Sequence, residues 1–532
     1  MGLRRIQGLA FATVLAGAAA IGAGATPSSA EAGGTFIWGM SSEMNILDPH
    51  ATCSWYTTNA IHNMFEGLVM LDLAKPEETR AKLKPALAES WTVSDDGLVY
   101  TFKLRQGVKF HDGTDFNADV AKWNYDRFMD KSAKQFYDQA AAYMAYYTRW
   151  IKSVERTGDF ELKVTLNEPN YEWLQMGVQA CGMPMMMSPK SVEQWGNTDV
   201  ALHPVGTGAF KFVEREQNVK VVFEKFDGYW GEKAKIDRLI FRPMADQATR
   251  LAAIRSGEVS MINEAPWDEL ESLKSEGFQI STNGNIPSIW LVFFNHKDPI
   301  MKDVRIRKAI NMAVNRDGIA TDILKGTGRP EYGMLSPGTY AYKAGYQPFK
   351  YDPEGAKALL AEAGYGPDKP LKLEFDIYEY GYNEVWEKWI QRDLKKVGIE
   401  VKLNKIEWIT YLGKWLKGME PTVHMNEIGW GWSIPFWTQM MARCDSQPPN
   451  GFNISWYCNA EVDKLFNEAL KTRDEAKAAE LYQKANDIMM GQDFAYMPKF
   501  VYYNPLVLSP KVKKFSNAQE NWYDFSVVEL AE

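Results

Sequence analysis

The sequence predicts a mixed α/β protein with more than one lobe. Several segments alternate apolar and polar residues as half-buried strands do, and others place apolar residues at helical spacing. Residues 371–403 show a strand, a helix and a strand in succession, the pattern of a β-α-β unit with a parallel strand pair. With 532 residues, of which 45% are hydrophobic, the chain exceeds what one core usually supports. We therefore expect two or more lobes.

Residues 1–30 have the pattern of a Sec-type signal peptide. Arg4 and Arg5 form a basic start, an apolar run rich in Ala and Gly follows, and Ser28 and Ala30 supply small residues for cleavage. The alternative, an uncleaved membrane anchor, needs about 20 strongly apolar residues. No cysteine lies near the cleavage site, so a lipid anchor is not expected. We expect a free, monomeric mature chain in the periplasm.

The predicted strands of the first half show a period of two. Residues 100–104 alternate after a Ser-Asp-Asp-Gly turn, and residues 108–110 form a second candidate strand before the turn at 111–114. Residues 160–166 alternate in the same way, and residues 219–226 are rich in residues that favour strands. This region therefore predicts strand pairs with one buried face.

Beyond residue 300 the apolar spacing becomes helical. Residues 303–316 carry an apolar stripe at positions i, i+4, i+7 and i+8. The segment 351–365 predicts a complete helix, with Asp352 as N-cap, Pro353 at the first helical position and Gly364 just past the end.

The charge balance excludes some classes of partner. The net charge is −8 at pH 7, and removal of the signal peptide takes away two arginines and no acidic residue. An acidic mature chain disfavours nucleic acid and anionic membranes as partners. The sequence contains no fixed-period repeat, so a solenoid is not expected.

The four cysteines fit an oxidising compartment. Cys444 and Cys458 flank a Pro-Pro-Asn-Gly turn and are close enough in sequence for a local bridge. Cys53 and Cys181 would then form a second pair by default. Buried free thiols are the alternative for either pair. A metal site is not expected, because the chain has no Cys-x-x-Cys motif and its six histidines are scattered. We expect no cofactor.

A secreted hydrolase is the alternative from another functional class. The sequence lacks Gly-x-Ser-x-Gly, Ser-x-x-Lys, His-Glu-x-x-His, P-loop and Gly-x-Gly-x-x-Gly motifs. Asp95 and Asp96 lie in a turn, where acidic residues are commonly solvated. A glycoside hydrolase stays open, since its two carboxylates need no local motif. We expect a chain that is not an enzyme.

A series of sequence blocks resembles family 5 of the extracytoplasmic solute-binding proteins, which are receptors of ABC importers for peptides, opines and nickel complexes. The resemblance spans residues 35–505, and the blocks come in the family's order. They are LDPH at 47–50, FEGL at 65–68, the segment 87–120, PVGTGAFKF at 204–212, DGYW at 227–230, ATRLAAIRSGEV at 248–259, FFNHKDPIMKDVRIRKAINMAVNR at 293–316, YDPEGAKALLAEAGY at 351–365, EWITY at 407–411 and IGWGW at 428–432.

The resemblance implies a two-lobed periplasmic binding protein of the large class, with the ligand cleft between its lobes. The first lobe would comprise residues 31–290 and 500–532, with an inserted β-rich subdomain at about 70–200. The second lobe would comprise residues 291–499. Residues 288–295 and 494–504 are the expected hinge strands.

The family's ligand-contacting segment matches residues 427–437. Peptide-binding members carry an aspartate where Ser433 stands in this chain, and it pairs with the α-ammonium of the ligand; no acid follows in this chain until Asp445. A buried ammonium without a counter-charge costs on the order of several kcal/mol, which disfavours ordinary recognition of a peptide N-terminus. Aromatic rings are available instead for stacking on a sugar, a heterocycle or a cation. The alternative for each tryptophan is packing in the core.

The resemblance therefore implies a set of ligand-binding candidates. They are Trp430, Gly431, Trp432, Ser433 and Trp437, with Tyr411 and Trp55 in second rank. The implied function is a periplasmic receptor that closes on an oligopeptide or peptide-like solute and delivers it to the permease of an ABC importer. An opine or an oligosaccharide is the alternative ligand.

Overall fold

The computed structural model describes residues 33–44, 46–52, 54–178, 182–379, 383–431, 433–520 and 522–531. The predicted signal peptide, Cys53, Cys181 and Trp432 lie outside the described residues. In the part of the chain that is described, no helix combines the length and the apolar character that crossing a bilayer requires.

The strands are numbered in chain order. They are β1 (Thr35–Met40), β2 (Val69–Leu71), β3 (Leu83–Pro85), β4 (Ala88–Val93), β5 (Val99–Leu104), β6 (Ile151–Gly158), β7 (Glu161–Leu166), β8 (Phe210–Glu216), β9 (Lys220–Lys225), β10 (Arg238–Pro243), β11 (Met261–Asn263), β12 (Gln279–Ser281), β13 (Ile289–Phe294), β14 (Gly328–Pro330), β15 (Leu371–Tyr378), β16 (Ile399–Ile406), β17 (Met425–Trp430), β18 (Tyr496–Tyr502), β19 (Leu506–Leu508), β20 (Val512–Lys514) and β21 (Glu529–Leu530).

The α-helices follow the same numbering. They are α1 (Trp55–Met64), α2 (Ala118–Met129), α3 (Asp138–Thr148), α4 (Trp173–Met176), α5 (Pro189–Asp199), α6 (Gln247–Ser256), α7 (Leu270–Ser275), α8 (Val304–Ala313), α9 (Arg316–Gly318), α10 (Pro353–Glu362), α11 (Asn383–Lys396), α12 (Trp408–Trp415), α13 (Phe436–Ala442), α14 (Ala460–Leu470) and α15 (Glu475–Asp487).

A seven-stranded mixed sheet has the order β12-β19-β11-β1-β10-β9-β8. Strand β1 runs parallel to both of its neighbours, β10 and β11, and the remaining pairs are antiparallel. Phe36, Trp38 and Met40 are completely buried at every second position of β1, so one face of this strand packs into an apolar core.

A four-stranded antiparallel sheet has the order β4-β5-β7-β6. Tyr100, Phe102 and Leu104 are buried on one face of β5, which confirms the predicted alternation. The strand predicted at 108–110 is wrong: this segment forms only an isolated bridge between Lys109 and Asp115. The reason is local, because the chain turns back at once and pairs with residues 114–116 over one bridge, after which Asn117 caps the helix α2.

A six-stranded sheet has the order β14-β18-β13-β17-β15-β16. Strands β15 and β16 are parallel with α11 between them, so the predicted β-α-β unit is confirmed. The predicted helix at 351–365 is α10, where the Asp352 carboxylate accepts the backbone N–H of Gly355 at 2.8 Å. Every residue of β13 and β18 is buried, as in strands covered on both faces.

The chain passes twice between the seven-stranded and the six-stranded sheet. The first crossing is residues 282–288, between β12 and β13, and the second is residues 503–505, between β18 and β19. The two segments expected to be hinges are thus β13 and β18, which pair with each other inside the six-stranded sheet. We call the part with the seven- and four-stranded sheets the first lobe and the part with the six-stranded sheet the second lobe; the predicted lobe boundaries stay a prediction.

The predicted disulfide between Cys444 and Cys458 is present, with an S–S distance of 2.13 Å. The two cysteines are 14 positions apart in the sequence, so the disulfide closes a short loop. In the chain-entropy model, a loop of this size stabilises the folded state by about 3 kcal/mol.

We expect replacement of both cysteines, Cys444→Ser with Cys458→Ser, to lower the free energy of unfolding by about 3 kcal/mol. Urea unfolding of the variant and the wild type measures the difference. A non-reducing peptide map of the wild type should contain both cysteines in one linked species. Recovery of both as free alkylated thiols would contradict the assignment.

Candidate functional site

The candidate site is built around residues 430–437, the junction segment, which link β17 to α13. Gly431 has φ of 154°, and a Cβ placed on it would lie 2.0 Å from the carbonyl oxygen of Pro287. No residue larger than glycine fits this close approach. The junction segment is therefore pressed against the first chain crossing, where the two lobes meet.

Two of the predicted tryptophans lie side by side in the junction segment. Trp430 is half-buried, and its ring lies 5.3 Å from that of Phe452 and 6.1 Å from that of Trp437. Trp437 is buried and its ring lies 5.1 Å from that of Tyr146 in the first lobe. Trp437 thus packs in a core shared by the two lobes, while Trp430 keeps part of its surface exposed.

The apolar core of the four-stranded sheet continues across the lobe boundary. Its second-lobe members lie in and after the junction segment and include Ile434, Phe436 and Met440. Ala518 and Trp522, from the C-terminal part of the chain, belong to the same core. Burial of apolar surface on both lobes holds them together in this structure.

A first-lobe carboxylate is buried against this core. Glu172, at the start of α4, accepts the backbone N–H of Phe436 at 3.0 Å and the hydroxyl of Tyr340, and it also receives a hydrogen bond from Tyr482. Burial raises the pKa of Glu172 to about 7, although the three donors oppose that rise. All three donors belong to the second lobe, so this carboxylate links the lobes.

A second carboxylate, Glu520, is buried beside Ser433. The side chain of Ser433 lies close enough to oppose the rise in the pKa of Glu520, and neither carboxylate oxygen has a hydrogen-bond partner of normal geometry among the described residues. Burial raises the pKa of Glu520 to about 8. Sequence reasoning missed this residue, because it lies far along the chain in a segment with no periodic pattern or motif.

The two second-rank candidates lie in the cores of separate lobes. Tyr411, on α12, is buried, and its hydroxyl donates to Asn426 Oδ1 at 2.6 Å and contacts the carbonyl oxygen of Glu427. Trp55, the first residue of α1, is half-buried and packs edge-on against Trp38 at 5.6 Å. That either ring contacts the solute stays a prediction.

A buried charge cluster lies beside Tyr411 in the second lobe. The ammonium of Lys499, on β18, pairs with the carboxylates of Glu387 on α11 and Glu427 on β17, and all three side chains are completely buried. Burial and the neighbouring Glu427 carboxylate hold the pKa of Glu387 well above its usual range. The Lys499 ammonium thus links β18, β17 and α11, and β17 leads into the junction segment. Within the described ranges, no group of three His, Cys, Asp or Glu side chains could hold a metal ion.

The chain matches one family profile over most of its length. The profile, described as bacterial extracellular solute-binding proteins, family 5 Middle, matches residues 82–448. The glutathione-binding protein GsiB of Escherichia coli O1:K1 / APEC is 31% identical over 473 residues, which cover 86% of this chain and 87% of that protein.

Solved structures have the same fold. The periplasmic binding protein DppA from Helicobacter pylori, associated with an ABC transporter and in complex with the peptide STSA, is 26% identical, with a TM-score of 0.82 over 94% of this chain and 98% of that one. A dipeptide-binding protein from Pseudoalteromonas sp. SM9913, in complex with Met-Leu, is 22% identical, with a TM-score of 0.81 over 93% of this chain and 100% of that one.

We expect the Glu520→Gln variant to become more stable relative to the wild type as the pH rises. In the unfolded chain the carboxyl ionises near its ordinary pKa, whereas in this structure it holds its proton up to about pH 8. Between these values the wild type therefore loses up to about 1.4 kcal/mol of stability per pH unit, and the amide does not. The difference in melting temperature between the two proteins, measured from pH 5 to 9, should grow up to about pH 8 and then level off.

Glu193→Gln, at an exposed glutamate, is the matched control and should follow the wild type. Parallel curves for Glu520→Gln and the wild type would contradict a water-excluded carboxylate at the junction.

Proposed function

We propose that this chain, which belongs to the bacterial extracellular solute-binding proteins of family 5, binds a peptide or peptide-like solute for an ABC importer. The family assignment and the mixed α/β fold predicted from the sequence are confirmed. Members of this family are solute-binding receptors, so the chain is a receptor and not a hydrolase. Its position is extracytoplasmic, as the family's is.

The single observation that carries the ligand class is the likeness to GsiB, which extends over 86% of this chain at 31% identity. That relative is named for glutathione, a peptide-like solute, and the H. pylori DppA structure holds a tetrapeptide. An opine or an oligosaccharide stays the alternative, since the tryptophans of the junction segment would also stack on such ligands.

The proposed solute site lies between the lobes at the junction segment. Half-buried Trp430 would form an aromatic wall, and buried Ser433 lies beside it on the same segment. Gly431 lets the backbone approach the first crossing closely. Trp432, Trp437, Tyr411 and Trp55 stay predicted members of the site.

Closure of the two lobes on the solute is the proposed mechanism. A solute shifts the equilibrium toward the closed form only by contacts that the open form lacks. In this structure the lobes are joined by the shared apolar core and by Glu172, whose donors all come from the second lobe. These contacts are the ones that opening would break.

The proposal also covers the cleavage, location and transport partner of the receptor. The mature receptor would begin near residue 31, lie free and monomeric in the periplasm without a lipid anchor, and deliver solute to the permease subunits of an ABC importer. Intact-mass analysis of the exported protein tests the cleavage and the missing lipid.

Identification of the bound solute is the most direct test of the function. The protein is purified from periplasm without added ligand and analysed by native mass spectrometry, and its melting temperature is then screened against glutathione, small peptides, opines and oligosaccharides. A bound ligand raises apparent stability in proportion to RT ln(1 + [L]/Kd). Stabilisation by a sugar or an opine, with no response to any peptide or to glutathione, would contradict the proposed ligand class.

We expect Trp430→Ala to weaken solute binding by roughly 1–3 kcal/mol, the scale of losing one stacked aromatic side chain at a binding hot spot. Isothermal titration with the identified solute measures the change. Trp195→Ala is the matched control, because that side chain is 40% exposed and stacks only on His203 at the surface of the first lobe. An unchanged affinity with a lower melting temperature would make Trp430 a packing residue.

We expect closure of the solute-free protein to weaken as the pH rises through about 7, because closing buries Glu172 and favours its protonated form. Small-angle scattering from pH 5.5 to 8.5 should show a radius of gyration that increases with pH. The ion pairs Arg80–Glu475, at 2.6 Å, and Lys471–Glu168, at 2.8 Å, also join the two lobes.

The Glu172→Gln variant is the control for that experiment. It keeps the size of the side chain and removes its titration, so its radius of gyration should change less with pH than that of the wild type. Equal slopes for the two proteins would show that Glu172 does not govern the pH response.

A further inference from the structure

The C-terminal loop, described at residues 515–520 and 522, is tied by side-chain hydrogen bonds to the first crossing and to the segment 72–78 of the first lobe. The side-chain amide of Asn283, in the first crossing, donates to the carbonyl oxygen of Asn517 at 2.8 Å. The side-chain amide of Gln519 donates to the carbonyl oxygen of Lys75 at 2.8 Å and to that of Glu78. These bonds position the loop before any solute arrives.

The loop presents buried acceptors and no matching donors. Asn517 Oδ1, Gln519 Oε1 and both carboxylate oxygens of Glu520 are buried without a conventional hydrogen-bond partner in the described part of the chain, apart from the contact of Glu520 with Ser433. The Gln519 amide nitrogen is already engaged by two carbonyl groups, which fixes its oxygen as the acceptor left over. Buried unsatisfied acceptors are costly, and a ligand rich in N–H donors would satisfy them.

Among the described residues, no side chain nearby neutralises Glu520. The junction segment, the first crossing, residues 336–338 and the rest of the C-terminal loop contain no Lys, Arg or His. In the neighbouring segment 72–78, Lys75 is paired with Asp72 at 3.0 Å. The ring of His62 stacks on Trp522 at 4.6 Å, and burial lowers the pKa of His62 to about 3, so it is uncharged. A cation that would let Glu520 ionise therefore has to be supplied by a ligand or by residues that the structure does not describe.

We propose that Glu520 binds a primary ammonium group of the solute, in the role that an aspartate at the position of Ser433 has in peptide-binding relatives. Ser433 is a neighbour of Glu520, so this first-lobe carboxylate lies beside the position that the aspartate occupies in the sequence of the relatives. This inference rests on the proposed function and narrows it: the solute carries a free amino group, as a peptide N-terminus or the amino end of glutathione does. A neutral oligosaccharide does not fit.

The test compares amino-free and amino-blocked probes on the wild type and on Glu520→Gln. The probes are glutathione, N-acetylglutathione, the peptide STSA and acetyl-STSA, titrated calorimetrically at pH 7. A buried charge left without its partner costs enough to lower affinity roughly 100-fold or more. We expect acetylation to weaken binding to the wild type by that factor, and Glu520→Gln to weaken binding of the free-amine probe equally. Acetylation should then have little further effect on the variant.

A double variant provides the rescue. Glu520→Gln with Ser433→Asp moves the acid to the relatives' position and should restore most of the affinity for the free-amine probe. Glu193→Gln, at an exposed glutamate, is the matched control and should keep both the affinity and the preference for a free amine.

The outcomes separate this inference from the proposed function. If the wild type binds a probe and its acetylated form equally well, or if Glu520→Gln keeps full affinity for the free-amine probe, the role of Glu520 is wrong and the receptor function stands. If the wild type binds none of the four probes, the proposed function falls and the inference falls with it.

Discussion

The constraint on which this molecule depends most is the burial of two carboxylates where its lobes meet. Glu172 is satisfied by three donors from the opposite lobe, whereas Glu520 has the hydroxyl of Ser433 and, among the described residues, no positive charge. Burying an ionisable group without a counter-charge is costly, and burial raises the pKa of both groups. The Glu172 carboxylate therefore stabilises the contact between the lobes in this structure. The Glu520 carboxylate lacks a counter-charge, which a bound solute can supply.

The rest of the second lobe supports that boundary. The chain enters the six-stranded sheet at β13 and leaves it at β18, and these two strands pair with each other within the sheet. Both crossings therefore attach to one pair of neighbouring strands. Lys499 on β18 binds the carboxylates of Glu387 and Glu427, which ties α11 and β17 to the same strand. Since β17 leads directly into the junction segment, the position of Trp430 and Ser433 depends on this buried cluster. A precise site on a hinged protein needs such a rigid base.

Patterns within short stretches of the sequence predicted individual strands and helices. They could not predict which residues of the first lobe contact residues of the second lobe. The β-α-β unit of β15, α11 and β16 and the capped helix α10 follow from spacing and end signals within about 15 to 35 residues, and they are confirmed. The false strand at 108–110 had the right composition, but its pairing with the chain after the turn stops at one bridge. Ser433 and Glu520 are neighbours in space but distant in sequence. Their proximity matters because no cation lies near Glu520 among the described residues. No single-sequence pattern records that absence, so the sequence shows that position 433 lacks an acid but does not show the carboxylate of Glu520 beside it.

The lobe on which an acid lies changes how recognition and closure are coupled. An aspartate at the position of Ser433 would belong to the second lobe, and a solute could pair with it while the lobes were apart. In this chain the carboxylate belongs to the first lobe and Ser433 to the second, so an ammonium between them contacts both at once. Contacts that exist only in the closed form are the ones that shift the equilibrium toward it. The displaced acid thus lets the amino group pair with the first lobe, and the contact with Ser433, which only closure brings in, favours the closed form; the exposed part of Trp430 supplies contact area that does not depend on charge.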